Sequence, residues 1–510
     1  MKTADEKKSI KLTIFRFNPE VDRGPRYETY ETEWLPSINA HIALTHINLQ
    51  SRANIGFRKG CREATCGTCT ISVNGIPALA CSVLLGDGDV LEPLKGYPVI
   101  RDLVIGRTSQ TIDAFKKIKY GREGKPIGFV PAKAEDISIS RELTICVDCH
   151  GCNSICPPML ETPERFIGPM YLVNLIRSMF NPMEDYDRAS QAVDMGLYNC
   201  TMCGACTSSC PKNIDITEGL ILARQRCVEK NVIPDEVKRI RSNILESDSL
   251  YGIDRAERAF WAKELKIPKS GETLFFASCH YTATQEGRNV LAIAVNLLRK
   301  VGIDVCYLGD EEYCCGAPLH FYGFQKEFEE KVRKTNNLLK AKEVGEIITP
   351  SGTCAYTFKE LFPKYTNDFN IRVRTVMEVV LEKIKSGKIS LKSIGSKKVV
   401  FHDPASLSRL LGMVKEPREC LRGIPNVNLV EPKYYFGVNT MSDGDMSVDK
   451  LVSSKIAEVR LQQLLAVNPD VIVTASATDL QRLRKAAQFI GETKVRIVDL
   501  IEFIGGYLGI

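Results

Sequence analysis

The sequence lacks the features of several common protein classes. No stretch approaches the roughly 18 consecutive apolar residues of a membrane-spanning helix, and the longest candidate, 290–298, is interrupted by Asn296. The charged residues 1–8 are not followed by an apolar segment, so no secretory signal is expected. Lys and Arg form no stripe and the net charge is only +6, which argues against nucleic-acid binding. We expect a cytoplasmic protein with no integral membrane segment, peripheral membrane association remaining possible.

Cysteine, in contrast, is abundant, with 19 residues in a chain of 510. Sixteen of them cluster at the spacings of metal ligands instead of being spread as in a small disulfide-bonded domain. The remaining three, Cys227, Cys306 and Cys420, are predicted to be small buried hydrophobic residues. The length allows roughly three to four domains.

The first cysteine group has the spacing of plant-type [2Fe-2S] loops, C-x4-C-x2-C followed by a distant cysteine. A tight loop supplies three thiolates, and the fourth comes from a separate strand end. Gly60 and Gly67 permit the unusual backbone angles of such a loop. One [2Fe-2S] cluster is therefore predicted, with the ligands Cys61, Cys66, Cys69 and Cys81.

The second group consists of two C-x2-C-x2-C-x3-C-P runs of the bacterial ferredoxin kind. In this motif the fourth cysteine of each run binds the other cluster. Two [4Fe-4S] clusters are predicted, the first held by Cys146, Cys149, Cys152 and Cys210 and the second by Cys200, Cys203, Cys206 and Cys156. His150 lies between ligands and is predicted to be a neighbour of the cluster and not a ligand.

The third group comprises Cys279, the adjacent pair Cys314 and Cys315 before Gly316, and Cys354. Adjacent cysteines are rare, because a metal or cluster is the usual reason for two thiolates so close together. A structural disulfide is disfavoured in a chain whose other cysteines need reducing conditions. A further [4Fe-4S] cluster, cubane or noncubane, is predicted here, with His280 in a structural role and Cys306 as a weak fifth candidate.

The residue patterns predict an α+β multidomain fold. Alternating short strands with an Asn74-Gly75 hairpin signal indicate a sheet domain at 1–105. Helical periodicity at 172–180 and 217–228 indicates a helical two-cluster domain at 106–232, and linker helices follow at 233–271. Strand–helix alternation then predicts a C-terminal α/β domain of two diverged copies, at 272–390 and 397–510. Within it, strands are predicted at 273–278, 303–308 and 427–430, and a helix from Leu407.

The first 230 residues resemble the iron-sulfur subunits of succinate dehydrogenase and fumarate reductase. The matching stretches are Phe15-Arg-Phe-Asn-Pro, the Cys61–Cys69 loop, Pro98-Val-Ile-Arg-Asp-Leu-Val, Arg165-Phe-Ile-Gly-Pro and both Cys-Pro runs. The resemblance implies a β-grasp fold for 1–105, an all-α second domain and a flavoprotein partner that carries FAD. Many family members lack the middle cysteine of the second run and hold a [3Fe-4S] cluster beside a quinone. Here Cys203 is present, so a [4Fe-4S] cluster is implied and the quinone inference is weaker.

The C-terminal half resembles the cysteine-rich domains of heterodisulfide reductases, whose motif is Cys…Cys-Cys-Gly…Cys-x-x-Cys. The first copy departs from it at Thr357, where the fifth cysteine is absent. The second copy has lost every ligand, with His402-Asp-Pro-Ala, Asn439-Thr-Met-Ser-Asp-Gly and Ser476-Ala-Thr-Asp at the three motif positions. The resemblance makes Cys279, Cys314, Cys315 and Cys354 the candidate catalytic residues.

Together the two halves look like the iron-sulfur B chains of archaeal thiol:fumarate reductases. This implies that coenzyme M and coenzyme B thiols are oxidised to the heterodisulfide and that fumarate is reduced on the flavoprotein. Two alternatives stay open. The C-terminal domain could exchange electrons with a membrane quinone, or it could be a docking module with a structural metal.

Overall fold

In the computed structural model, the described residues are 9–118, 132–184, 186–389, 391–392, 395–437, 439–444 and 446–510. The prediction about residues 1–8 falls outside this part of the chain. The described residues contain no helix long and apolar enough to cross a membrane. The chain divides into two compact units, Met1–Leu197 with Ala205–Ala223 and Tyr198–Gly204 with Arg224–Ile510. The boundary runs through the second Cys-Pro run, so that Cys200 and Cys203 belong to the second unit.

The strands of the first unit are β1 (Ser9–Arg16), β2 (Arg26–Glu33), β3 (Thr70–Val73), β4 (Ile76–Leu79), β5 (Val90–Glu92), β6 (Val99–Arg101) and β7 (Val104–Ile105). The first five form a mixed sheet in the order β2-β1-β5-β3-β4, with β1 and β5 parallel. Alternating side chains of β1 enter the core, because successive residues of a strand face opposite sides. The predicted hairpin at Asn74-Gly75 is confirmed, and both residues have positive φ.

The helices that begin in the first unit are α1 (Ala40–Ser51), α2 (Thr108–Lys117), α3 (Ala134–Leu143), α4 (Gly151–Ser154), α5 (Pro157–Glu161), α6 (Pro169–Met179), α7 (Arg188–Asp194), α8 (Ala205–Ser208) and α9 (Ile216–Glu229). The helices predicted at 172–180 and 217–228 correspond to α6 and α9. A Cys-Pro pair stands at the end of each cysteine run. Pro157 occupies the first turn of α5, where a backbone N–H would have no partner within the helix, so its absence removes no hydrogen bond.

The second unit continues with the helices α10 (Asp235–Ser247), α11 (Arg255–Ala259), α12 (Cys279–Thr282), α13 (Gln285–Lys300), α14 (Ala317–Phe321), α15 (Gln325–Ala341), α16 (Gly352–Tyr356), α17 (Phe362–Tyr365), α18 (Val376–Lys385), α19 (Glu416–Arg422), α20 (Lys450–Leu465), α21 (Ala477–Phe489) and α22 (Leu500–Leu508). Its strands are β8 (Thr273–Phe275), β9 (Glu346–Thr349), β10 (Arg372–Thr375), β11 (Lys397–Phe401), β12 (Val427–Val430), β13 (Val471–Thr474) and β14 (Arg496–Asp499).

These strands form two parallel sheets, in the orders β10-β9-β8 and β12-β11-β13-β14. The strand pairs β8–β9 and β11–β13 share one register, with Phe275 opposite Ile348 in the first and Phe401 opposite Val473 in the second. Three residues further on, Ser351 and Ser476 each cap a helix with the side-chain oxygen. Two parallel sheets with helices between their strands are therefore present, as an α/β domain requires, and the origin of the two halves as copies of one unit stays a prediction.

Two sequence-based element predictions were wrong. The strand predicted at 303–308 is a single bridge between Cys306 and Leu274, because the amide of Tyr307 turns away to the carbonyl of Pro268. The helix predicted from Leu407 is one π-type turn, 406–410, and it stops before Gly412, whose φ is +66°. The next regular helix, α19, begins at Glu416.

Candidate iron-sulfur centres

The first predicted ligand set comes together around a loop of left-handed residues. Arg62, Ala64 and Gly67 all have positive φ, which turns backbone amides toward sulfur. The amides of Glu63 and Thr65 lie 3.4 Å from the sulfur of Cys61, and the amide of Ala64 lies 3.3 Å from the sulfur of Cys81. Hydrogen bonds from the Thr65 side chain and from these amides lower the pKa of Cys61 to about 6. Such donors favour a thiolate, which is the form that binds iron.

Gly67 joins this loop to the first Cys-Pro run within the same unit. A β-carbon on Gly67 would lie 2.1 Å from the carbonyl oxygen of Val147 and 3.0 Å from the Cα of Cys149. The side chain of Arg107 donates to the carbonyls of Gly67 and Thr68 at 3.3 and 3.5 Å. The two cluster loops therefore lie backbone against backbone.

The ligands predicted for the first [4Fe-4S] cluster line one cavity. This includes Cys210, which comes from the other run, as the motif requires. The remaining walls are mostly apolar, and the lining residues are Cys146, Val147, Cys149, His150, Cys152, Met170, Val173, Cys210, Pro211, Lys212, Ile214 and Ile216. Burial raises the pKa of Cys146 to about 12 and that of Cys152 well above its ordinary value. Four thiols in a mostly apolar cavity fit a cluster whose positively charged core offsets part of the thiolate charge on binding.

His150 is next to this cavity, and its ring is held by a tyrosine. Its Nδ1 is 2.8 Å from the hydroxyl of Tyr97, and both Tyr97 and Tyr171 contact the ring edge to face. The backbone at His150 is left-handed, with φ 62°, directly before α4. This placement fits the predicted role as a neighbour of the cluster.

The second run is divided between the units. In the second unit, the carbonyl of Cys200 accepts a 2.9 Å hydrogen bond from Arg224. The same guanidinium donates at 2.8 Å to the carbonyl of Phe321, which ends α14, and it lies over the rings of Tyr198 and Tyr322. Cys206 is in α8 of the first unit, and Cys156 directly precedes α5. All four predicted ligands of this cluster are buried.

The four cysteines of the third group come together at the carboxyl ends of strands. Cys279 begins α12 after β8, Cys354 lies in the first turn of α16 after β9, and Cys314 and Cys315 precede α14. The sulfurs of Cys315 and Cys354 are 3.5 Å apart, and Cys279 is hydrogen-bonded to Cys314. All four are at most 6% exposed. Neighbouring thiols that donate to Cys314 lower its pKa well below the ordinary value.

Backbone and charged groups surround this thiol cluster. The amide of Gly316 lies 3.4 Å from the sulfur of Cys314, and the amide of Leu250 donates to Cys279. The amide of Cys314 donates at 3.1 Å to the carboxylate of Asp248, which is fully buried. Asp248 also accepts from Lys331 and Arg255. The donor set, four thiolates with amide donors, is one that a [4Fe-4S] cluster accepts.

His280 and the three remaining cysteines stand in other environments. The Nδ1 of His280 lies 2.9 Å from the hydroxyl of Tyr251. The thiol of Cys306 donates at 3.3 Å to the carbonyl of Gly271, and Cys420 is part of the apolar core. Cys227, Cys306 and Cys420 are all buried, as predicted. The described residues contain no group of three or more His, Cys, Asp or Glu arranged to hold a single metal ion.

In the second copy, the strand register places other residues at the cysteine positions. Ala405 is four residues after Phe401, as Cys279 is after Phe275, and Asp479 is three after its helix-capping serine, as Cys354 is. These segments line a narrow cavity with Ser442, Asp443, Arg460 and Arg482. Polar and charged side chains occupy the site: Asp443 lies 3.4 Å from Arg482, and Asp479 lies 3.3 Å from Nε2 of His402, whose Nδ1 accepts from Arg460. The predicted loss of cluster ligands is complete in this copy.

Sequence reasoning did not find the charged residues around the sites. Arg224, Asp248, Lys331 and Arg409 are ordinary members of helices or loops in the sequence, and their partners are distant along the chain. These residues stand out only in the structure, where the charged side chains of Arg224, Asp248 and Lys331 are fully or nearly fully buried. Buried charge of this kind needs specific partners.

Comparison with known protein families finds three matching domains in the chain. Residues 11–112 match a 2Fe-2S iron-sulfur cluster binding domain, residues 142–214 a 4Fe-4S dicluster domain, and residues 273–359 a cysteine-rich domain. The chain is 30% identical over 224 residues to a fumarate reductase iron-sulfur subunit of Escherichia coli, a match covering 41% of this chain and 89% of that protein. The chain belongs to the fumarate reductase iron-sulfur subunit family. It is thus an electron-transfer subunit of an oxidoreductase.

Two further relatives extend into the C-terminal half. The B chain of a fumarate reductase (CoM/CoB) from Methanothermobacter marburgensis is 28% identical over 499 residues, covering 97% of this chain and 98% of that protein. The D chain of a dihydromethanophenazine:CoB–CoM heterodisulfide reductase from Methanosarcina acetivorans is 25% identical over 393 residues, covering 72% of this chain and 95% of that protein. The fusion of an iron-sulfur fumarate reductase subunit with a heterodisulfide reductase-like domain therefore extends over nearly the whole chain.

Proposed function

We propose that this chain oxidises coenzyme M and coenzyme B thiols at the Cys279, Cys314, Cys315 and Cys354 site. The electrons then pass to a flavoprotein subunit, which carries FAD and reduces fumarate to succinate. The observation that supports the proposal most strongly is the convergence of these four buried cysteines in a chain that also carries the fumarate reductase cluster motifs. The similarity to the fumarate reductase chain named for CoM and CoB adds to it.

The reaction balances without a further oxidant. Two thiols lose two electrons and two protons as one disulfide bond forms between their sulfurs. Fumarate gains two electrons and two protons and becomes succinate. When bound, the clusters carry electrons one at a time between these two half-reactions.

The residues of the chain would hold the clusters in the sets deduced from the sequence. We propose one [2Fe-2S] cluster on Cys61, Cys66, Cys69 and Cys81, and two [4Fe-4S] clusters on Cys146, Cys149, Cys152 and Cys210 and on Cys200, Cys203, Cys206 and Cys156. A further cluster is proposed at the C-terminal site. There the amides of Gly316 and Leu250 stabilise negative charge on sulfur, and Asp248 fixes the backbone of Cys314.

We also propose the domain division deduced from the sequence. Residues 1–105 would be a β-grasp [2Fe-2S] domain and 106–232 an all-α two-cluster domain, with linker helices at 233–271 and a duplicated cysteine-rich domain at 272–510. The cytoplasm is the proposed location, because the reducing conditions there keep thiolates free of disulfides.

The test uses the chain purified without oxygen together with its flavoprotein partner. Fumarate should drive oxidation of the two thiols, and Cys315→Ser should abolish it while fumarate reduction by a reduced dye continues. Cys306→Ser is the matched control, because it is a buried cysteine of the same unit whose thiol donates to a carbonyl, a bond that serine can keep. It should retain thiol oxidation.

The alternatives predict different results. Reduction of a quinone analogue in place of thiol oxidation would favour electron exchange with a membrane quinone. Dye activity with neither thiol nor quinone reaction would favour a docking module. Equal thiol oxidation by wild type and Cys315→Ser would contradict the proposed site.

A further inference from the structure

The loop that carries Cys200 and Cys203 lies against the loop of the second copy that replaces the paired cysteines. A β-carbon on Gly444 would lie 2.2 Å from the carbonyl oxygen of Thr201 and 2.5 Å from the amide nitrogen of Cys203. Only a glycine permits two backbones to approach so closely. Both segments belong to the second unit.

The equivalent glycine of the first copy has different neighbours. Gly316, which follows Cys314 and Cys315, faces the side chains of Phe328 and Lys331 of α15. The paired cysteines there point to their own cluster site. In the second copy, Ser442 and Asp443 stand at those positions, and the cavity there is lined by the Asp443–Arg482 ion pair and other polar side chains. The loop of the second copy therefore carries no cysteine ligand, and its glycine contacts the backbone of the Cys200–Cys203 loop instead of a following helix.

Arg409 ties the same two loops together. Its guanidinium donates at 3.2 Å to the carbonyl of Cys203 and at 2.7 Å to the carbonyl of Gly437, and it also donates to the carbonyl of Thr440. A single planar donor group thus fixes the backbone of a predicted cluster ligand to the loop that begins at Gly437. It also brings a positive charge close to that ligand.

We propose that the second copy positions the Cys200–Cys203 loop for the second [4Fe-4S] cluster, with Arg409 and Gly444 as positioning residues. This inference rests on the proposed ligand set of that cluster. Gly444 sets the distance between the loops, and Arg409 sets both the loop position and the local charge. A nearby cation favours the reduced, more negative state of a cluster, so Arg409 raises its reduction potential.

The test is a redox titration of the complete complex, followed by electron paramagnetic resonance of each cluster. Arg409→Gln should lower the midpoint potential of the second [4Fe-4S] cluster and leave that of the [2Fe-2S] cluster unchanged. Arg409→Lys keeps the charge and should restore much of the potential. A role limited to protein stability would not separate Gln from Lys in this way.

Gly444→Ala tests the close approach. The variant should show an altered or partly lost signal of the second cluster, with the [2Fe-2S] signal intact. Gly506→Ala is the control, because Gly506 lies in α22 of the same unit with no atom within 4 Å of an added β-carbon. It should behave as wild type.

The outcomes separate this inference from the function on which it rests. If the wild type shows the second cluster and both Arg409→Gln and Gly444→Ala leave its signal and potential unchanged, the positioning role is refuted and the proposed function stands. If the wild type assembles no second [4Fe-4S] cluster, the ligand assignment fails and the inference fails with it.

Discussion

Replacing Gly67 by alanine should disturb two cluster sites at once. Gly67 has φ +64°, a conformation that an alanine adopts at a cost of about 1–2 kcal/mol. The added β-carbon would also lie 2.1 Å from the carbonyl oxygen of Val147, so one of the two loops must move. Forcing extra volume into a packed contact costs about 1–3 kcal/mol more. The total destabilisation expected for Gly67→Ala is therefore about 2–5 kcal/mol.

Gly88→Ala isolates the conformational part of that cost. Gly88 has φ +85° and lies in the same sheet domain, but an added β-carbon there would meet no atom within 4 Å. This control should lose only the conformational cost of about 1–2 kcal/mol. Denaturant unfolding of the cluster-loaded protein, followed by visible absorbance, would compare the two variants. The electron paramagnetic resonance signal of the first [4Fe-4S] cluster should change only in Gly67→Ala.

The reasoning depends on the contact between Gly67 and the Val147–Cys149 segment. Equal stability of the two alanine variants, together with an unchanged [4Fe-4S] signal in Gly67→Ala, would refute it. A change confined to the [2Fe-2S] signal would contradict the predicted effect on both cluster sites.

Three further predictions concern buried charge in the second unit. Burial raises the pKa of Asp499 from 3.8 to about 7, so the folded state keeps a proton that the unfolded state releases. The free energy of unfolding should therefore fall by about 2 kcal/mol between pH 5.5 and 7. In denaturant titrations, Asp499→Asn should make this fall smaller. Lys331→Met leaves the buried carboxylate of Asp248 with one cation fewer and should lower the free energy of unfolding by about 3 kcal/mol. The control is Lys334→Met, because Lys334 belongs to an exposed ion pair of the same helix, and this variant should leave the unfolding midpoint almost unchanged. Arg224→Gln should lower the midpoint potential of the second [4Fe-4S] cluster in a redox titration, because a buried cation hydrogen-bonded to a ligand's carbonyl is lost.

Candidate cluster ligands that lie close together along the chain could be grouped from the sequence alone. The spacing of the Cys61–Cys69 loop and of the two Cys-Pro runs follows from the geometry of a cluster, and this geometry is local. The exchange of fourth cysteines is also part of the motif, and Cys210 does line the cavity of the first run. The third group could be recognised from the sequence because an adjacent pair such as Cys314 and Cys315 is seldom needed except to bind a metal or cluster.

The environment of the ligands could not be predicted in the same way. Asp248 directly follows α10, Lys331 lies within α15, and they meet only because the chain folds back over more than 80 residues. Hydrophobic periodicity does not mark such contacts, since a buried Lys and an exposed Lys look alike in sequence. The strand predicted at 303–308 is only a bridge at Cys306 for a related reason. The carbonyl of Pro268, which accepts the hydrogen bond from the amide of Tyr307, is almost 40 residues away along the chain.

Two contacts link cluster loops to their neighbours, and they differ in kind. Gly67 brings its loop against Val147–Cys149 with no side chain between them, so substitution there changes geometry. Arg224 joins Cys200 to Phe321, at the end of the helix that follows Cys314 and Cys315, through two charged hydrogen bonds. Substitution there changes charge near the ligands while the side chains of Tyr198 and Tyr322 remain. Because electron transfer depends on both distance and potential, variants of Gly67 report on the first quantity and variants of Arg224 on the second.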